Sequence, residues 1–345
     1  MYLPQLIKDE LERWHNPYPL QQIFRTADPV AVTAQIEEFC VRELGSGIAD
    51  TLFYAVSIGV VCGLQLRDGA RIVLKLLGPT ASMAHLQDVV RVQHYLLAEG
   101  YPCTRPVYGP ARLLDGIAMV EEFDNRGEYH DAHEPLWRQK MAELLAWQLQ
   151  LLRQPERIPD IDVGHFDFRL PPGTLWGKPH SNIFDFEATT EGAEWIDDLY
   201  RQARKNLETG AGQLILGHID WSTKHIRYLG QQAHIIYDWD SLVLDKEPAL
   251  VAHAAATFTY IPFMPGIAEA PTREESLAFI ADYEAARGSA FTKDERQTLA
   301  ATITSTMAYG ARCEHSLAPH ERDYPAGSRR AVLAQYKDSF LFPPM

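Results

Sequence analysis

The chain of 345 residues has only four cysteines, Cys40, Cys62, Cys103 and Cys313, widely spaced and without a C-x-x-C pair. They read as reduced, mostly buried thiols of a cytoplasmic protein. No stretch approaches the roughly eighteen apolar residues of a membrane span, and Met1 to Trp14 is amphipathic and charged, unlike a secretory leader. Basic residues are in the minority: 32 Lys+Arg against 46 Asp+Glu leave a formal charge of −14 and no basic stripe. That balance argues against nucleic acid as a partner. It suits a cationic small substrate, although solubility is the simpler consequence. H-E-x-x-H and G-x-S-x-G are absent, which removes support for zincin and lipase-like hydrolase chemistry. G-x-G-x-x-G, internal repeats and low-complexity tracts are also missing.

What is present is an ordinary globular composition, 46% hydrophobic and 23% charged, in a chain long enough for two lobes with separate cores. The most informative stretch runs from Leu214 to Leu242. Leu214 to Leu216 reads as a short strand, followed by a loop with His218, Asp220, Trp221 and Ser222. Ile226 to Leu229 and Ala233 to Tyr237 are apolar runs joined by Gly230-Gln231-Gln232, the pattern of a hairpin. A hairpin returns the chain to its start, so Asp238 is expected to finish near His225 and Asp220. Phosphoryl transfer needs such a group: one carboxylate to accept a hydroxyl proton and further ligands for metal ions. The competing reading is a hydrogen-bonded corner with Asp220 capping a turn.

His218-Ile219-Asp220-Trp221-Ser222-Thr223-Lys224-His225, followed by Tyr237-Asp238-Trp239, resembles the catalytic loop and metal-binding strand of the aminoglycoside phosphotransferase and choline-kinase-like family. That family reads H-G-D-x-x-x-x-N and then I-D-W. The resemblance implies an α+β, protein-kinase-like two-lobed fold: a small β-rich N-lobe with one helix packed on it, and a larger, mainly helical C-lobe. It implies residues 1–125 as a nucleotide-binding lobe with an N-terminal helical extension, and 126–345 as the catalytic and substrate-binding lobe. Asp220 is then the catalytic base, and His225 and Asp238 are metal ligands. ATP or GTP is the implied phosphoryl donor, with Mg²⁺ or Mn²⁺, and a hydroxylated small molecule is the acceptor. Ile219 stands where the family has Gly, and His225 where it has Asn. Imidazole at that position shifts preference away from Mg²⁺, which favours hard oxygen donors, toward Mn²⁺. Macrolide phosphotransferases are similar in carrying His there.

The order of elements before this stretch fits the same frame. Val30 to Leu44 reads as a helix, and Thr51 to Val56, Ile58 to Leu66 and Arg71 to Leu77 as strands, the last two joined by Arg67-Asp68-Gly69-Ala70. Lys75 lies on the third strand, where the resemblance expects the lysine that pairs with nucleotide phosphates. The alternative is a lysine guarding an exposed edge. Ser57 and Gly59 mark the turn expected to approach phosphate. A helix over about Ala81 to Glu99 should carry the acidic partner of Lys75, and Asp88 is the candidate in its middle. Glu122 and Phe123 follow the apolar segment Ile117 to Val120, at the position of the family's hinge, whose backbone amide and carbonyl hold the adenine edge.

Helical patterns cover Leu136 to Leu152, Ala193 to Leu207, Ala249 to Thr259, Thr272 to Ala286, Lys293 to Tyr309 and Arg329 to Phe340. The aromatic-rich segment between the first two includes His165, Phe166, Phe168, Pro171, Pro172, Trp176, His180, Phe184 and Phe186. It reads equally as a substrate-recognition element or a packing insert. Gly173 and Gly177-Lys178 fail as a P-loop because the spacing is one short and Pro179 replaces Ser/Thr. His130 and His133 sit in a polar linker and are expected to face solvent. Three functions stay open: a small-molecule kinase, a pseudokinase that binds nucleotide or ligand, and a metal hydrolase using His218, Asp220, His225 and Asp238 as a Zn²⁺ ligand set.

Overall fold

The structure, a computed structural model, describes residues 1–167, 174–336 and 340. Phe168, Pro171, Pro172 and Gly173 lie outside the described residues, as do positions 337–339 of the last expected helix. Two compact units divide the chain: Met1–Asn125 with His180–Ile183, and Arg126–Pro179 with Phe184–Met345.

The first unit opens with three helices, α1 (Leu3–Trp14), α2 (Tyr18–Phe24) and α3 (Pro29–Leu44). Asp28 caps α3 by accepting from Val30 N and Ala31 N, Pro29 fits the first turn, and Gly45 ends the helix in the left-handed region. Five strands follow: β1 (Ile48–Val56), β2 (Val60–Leu66), β3 (Arg71–Leu77), β4 (Pro106–Leu113) and β5 (Gly116–Glu122), with α4 (Met83–Ala98) between β3 and β4. The sheet is antiparallel, in the order β1-β2-β3-β5-β4. Strand alternation decides its two faces. Ile72, Leu74 and Leu76 of β3 and Ala118 and Val120 of β5 join one core with Leu20, Ile23, Ile36 and Phe39 of the helices. Lys75, Met119 and Glu121 therefore point to the opposite face. Lys75 is buried in the middle strand, so the edge-guard reading fails.

The second unit is mainly helical. It contains α5 (Pro135–Leu152), α6 (Glu194–Glu208), β6 (Leu214–His218), β7 (Ile226–Leu229), β8 (Gln232–Ile236), β9 (Leu242–Lys246), α7 (Glu247–Thr257), α8 (Arg273–Arg287), α9 (Lys293–Leu317) and α10 (Arg329–Tyr336). Reciprocal capping boxes start α8 (Thr272 with Glu275) and α9 (Thr292 with Glu295). β6 pairs with β9 and β7 with β8, both antiparallel. All four cysteines are free and buried. No helix among the described residues is long and apolar enough to cross a membrane.

The solvent-facing expectation for His130 and His133 is corrected. His130 stacks on Trp137 with ring centroids 3.5 Å apart, and His133 bonds Glu275 at 2.8 Å and the Ala268 carbonyl at 3.1 Å. Long-range partners on α5 and near α8 draw in a linker whose own composition is polar. The aromatic-rich segment is used for packing where it is described. Trp176 stacks on Tyr200 of α6 at 3.7 Å and donates to Asp197, and the Phe186 carbonyl accepts from the buried Arg312 of α9.

Candidate active site

In the second unit, β6 delivers His218 into a loop whose two tryptophans, Trp221 and Trp239, are fully buried. Their indole N–H groups donate to Met141 O and Ile236 O. These anchors fix the loop against α5 and β8. The β7–β8 hairpin turns at Gly230, in the left-handed region, and brings Tyr237 N to 2.9 Å from His225 O. Ile219 N donates to Ser241 O at 3.0 Å, so the loop is also held to the start of β9. Asp238 adopts a left-handed backbone (φ 69°), which Asp tolerates better than most residues and which often marks a functional position.

This folding gathers the three residues expected from the sequence. One ligand atom each from Asp220, His225 and Asp238 lies within 4.8 Å of the others. His225 Nε2 stands 3.1 Å from Asp220 Oδ2 and 3.6 Å from Asp238 Oδ2. Lys224 Nζ lies 2.9 Å from the same Asp220 Oδ2. Burial alone would raise the Asp220 carboxyl, but His225 and Lys224 outweigh it and hold the group well below the usual carboxylate range. Both partners meet Oδ2, and no hydrogen bond reaches Oδ1 among the described residues. Ser241 Oγ donates to Asp238 at 3.3 Å.

His218 does not join the group, which corrects the four-ligand zinc set. Its Nε2 donates to the Tyr237 carbonyl at 3.1 Å, and its Nδ1 is buried without a hydrogen-bond partner. Burial lowers its pKa to about 4, so the ring is neutral and ties the loop to the residue before Asp238. Lys224 is the residue that motif reading missed. Its position before His225 was visible, but only the helical turn over Thr223–His225 shows that it folds back on Asp220.

The donor set suits a divalent ion: two carboxylate oxygens and one imidazole nitrogen. These atoms lie close enough together for one small divalent ion to be held by all three. His225 Nε2 either donates to Asp220 or coordinates an ion. It cannot do both.

In the first unit, Lys75 Nζ is 3.9 Å from Glu121 Oε2, and both side chains are buried. Asp88 is also buried and forms an ion pair with Arg91. Ser57 is exposed at the β1–β2 turn, where its N–H donates to Gly59 O at 3.0 Å. A Cβ on Gly59 would collide with the carbonyl of Leu76, so glycine is required for that turn to lie against β3. Glu122 N donates to Arg105 O at 2.9 Å and Phe123 N to Arg71 O at 3.1 Å. Both amides are therefore already bonded, Glu122 as the last residue of β5 and Phe123 just beyond it.

No protein-family model matches the chain, and no curated protein does either. Solved structures do. An amicoumacin kinase in complex with AMP-PNP, Ca²⁺ and its antibiotic superposes with a TM-score of 0.60 at 11% identity, covering 89% of this chain and 92% of that one. An ethanolamine kinase of Plasmodium vivax gives 0.52 at 11% identity, covering 97% and 94%. A spectinomycin phosphotransferase in complex with ADP and spectinomycin gives 0.53 at 12% identity, covering 90% and 94%. At such identities the likeness is one of fold. The chain has the α+β, protein-kinase-like fold that these small-molecule phosphotransferases share.

Proposed function

We propose that the chain is a phosphotransferase that moves the γ-phosphoryl group of ATP or GTP to a hydroxyl of a small molecule. The observation that carries this is the Asp220 carboxylate: Lys224 holds one oxygen, which His225 also meets until it turns to an ion, and the other accepts no hydrogen bond among the described residues and can take a hydroxyl proton. Asp238 and His225 would hold Mg²⁺ or Mn²⁺, which supplies charge neutralisation for the nucleotide phosphates. Lys75 would bind those phosphates from β3, with the Ser57–Gly59 turn offering close backbone approach. Glu122 and Phe123 remain as the strand end beside the nucleobase, without an amide contact. Asp220 would orient and deprotonate the acceptor, and Lys224 keeps Asp220 ionised for that task.

The acceptor would approach Asp220 from the side of Ile219, where the second unit has a cavity. A cavity of ≈ 550 Å³ is lined by Ile219, next to Asp220, and by Tyr200, Asp245, His253, Thr302 and Ser305. The His253 Nδ1 is bonded to Thr306 at 2.8 Å, and burial lowers its pKa, so a neutral imidazole faces this space. The lining is mixed: Leu207, Leu214, Val243 and Leu244 stand beside these polar groups.

The test is Asp220→Asn. Turnover should disappear while nucleotide still stabilises the protein; unchanged turnover rules the reading out. A pseudokinase would show nucleotide-dependent stabilisation and no phosphate transfer with either metal.

A further inference from the structure

The face of the first sheet that carries Lys75 also carries a carboxylate that no motif points to. β3 and β5 pair with Lys75 opposite Met119 and Val73 opposite Glu121. Glu121 is thus the diagonal neighbour of Lys75 on one face, a separation that two long side chains can span. Its surroundings are fully built. Oε1 accepts from Gln93 Nε2 of α4 at 2.7 Å and from Thr104 Oγ1 at 3.0 Å, and Gln93 Nε2 also reaches Thr104 Oγ1 at 3.0 Å. Oε2 faces Lys75 Nζ at 3.9 Å. Gln93, Thr104, Glu121 and Lys75 are all buried.

A carboxylate sealed in a protein interior is unfavourable unless charge and hydrogen bonds compensate it. Here two neutral donors fix one oxygen and leave the other aimed at the lysine. The acid stands on the sheet itself, two positions along from the residue paired with Lys75. Gln93 ties the helix to this carboxylate.

We propose that Glu121 is a positioning residue for Lys75. Its carboxylate, oriented by Gln93 and Thr104, holds the ammonium where nucleotide phosphates are bound, and nucleotide affinity depends on it. This inference rests on the phosphotransferase reading, in which Lys75 is the phosphate ligand.

Glu121→Gln isolates the charge, because its amide oxygen can still accept from Gln93 and Thr104. The measurement is the dissociation constant of AMP-PNP with Mg²⁺ by calorimetry, in wild type, Glu121→Gln, Lys75→Ala and the double variant. Glu121→Gln should weaken binding about tenfold, the scale of one charge-assisted contact. In the Lys75→Ala background the same substitution should change nothing, because the residue acts through the lysine. Unchanged or tighter binding by Glu121→Gln overturns the proposal. So does an equal loss in both backgrounds, which is the mark of a merely structural role. If Glu121→Gln does not fold, Thr104→Val removes one of the two donors and leaves both charges, and the same comparison applies with a smaller expected loss. A wild-type chain that binds no nucleotide overturns the phosphotransferase reading and this inference with it, whereas binding that ignores Glu121 overturns this inference alone.

Discussion

Asp220 and Glu247 are both carboxylates of the second unit with cationic neighbours, and they are built for opposite purposes. Glu247 side-chain exposure is 4%, and every partner is a fixed donor: Tyr283 Oη at 2.8 Å and Arg287 at 3.0 Å on Oε1, and Arg153 at 2.8 Å on Oε2. Asp220 side-chain exposure is 35%, its two partners crowd one oxygen, and the second oxygen is open. Saturation makes the first a structural joint that ties α5, α7 and α8 together. Incomplete satisfaction leaves the second able to accept a proton, the role proposed for it. Charge and functional group are shared, so the difference lies in what the fold leaves unbonded.

The substitution with the largest expected effect on function is Asp220→Asn. Loss of the proton acceptor should reduce turnover about 10³-fold, while the melting temperature moves little; a kinetic assay beside a thermal melt checks both. The mirror experiment is Glu247→Gln. It leaves two part-buried guanidinium groups with one charge fewer and should cost about 2 kcal/mol of stability, read by urea unfolding, with nucleotide binding retained in the folded fraction. Its pH dependence has a definite sign. Burial would raise the Glu247 carboxyl, but Tyr283, Arg287 and Arg153 together lower it from 4.5. The wild-type advantage over Glu247→Gln is therefore present above about pH 4.5 and lost as pH falls through the lower folded-state value. Equal acid sensitivity of the two proteins contradicts the contrast.

His225→Asn sharpens the comparison on the open side. An oxygen donor in place of imidazole should reduce the relative benefit of Mn²⁺ over Mg²⁺, measured as metal-dependent nucleotide binding. Equal metal preference removes His225 from the ligand set.

The smallest effect belongs to the His133–Glu275 pair. Burial opposes protonation of His133, yet Glu275 and the Ala268 carbonyl raise it above 6.5. The contribution is full below about pH 6.5 and is lost as pH rises through the folded-state value. Replacing His133 with Gln should flatten that slope by about 0.5 kcal/mol, visible in melts between pH 6 and 8.

The grouping of Asp220, His225 and Asp238 was legible because they fall within a short span and a hairpin closes the distance between them. Three strands of the first sheet and most helices of the second unit were legible from pattern and turn signals, and the helix carrying Asp88 from the family resemblance. Glu121 was not, since its nearness to Lys75 depends on the register between two strands that are far apart in sequence. The helical pattern over Lys293 to Tyr309 falls short of α9, which continues through Gly310 to Leu317. Gly310 makes room for the Arg329 side chain, a packing need that leaves no local signature. β9 was missed for the reverse reason: its partner β6 gives it a strand conformation that Leu242–Lys246 alone does not announce.

The most direct test of the central claim is acceptor-dependent release of ADP or GDP. Wild type and Asp220→Asn would be supplied with ATP or GTP, Mg²⁺ or Mn²⁺, and a panel of hydroxylated antibiotics, sugars and amino alcohols. The account predicts metal-dependent nucleotide turnover by wild type with at least one acceptor, and none by Asp220→Asn. Equal turnover by both proteins, or none by wild type despite nucleotide binding, would contradict it.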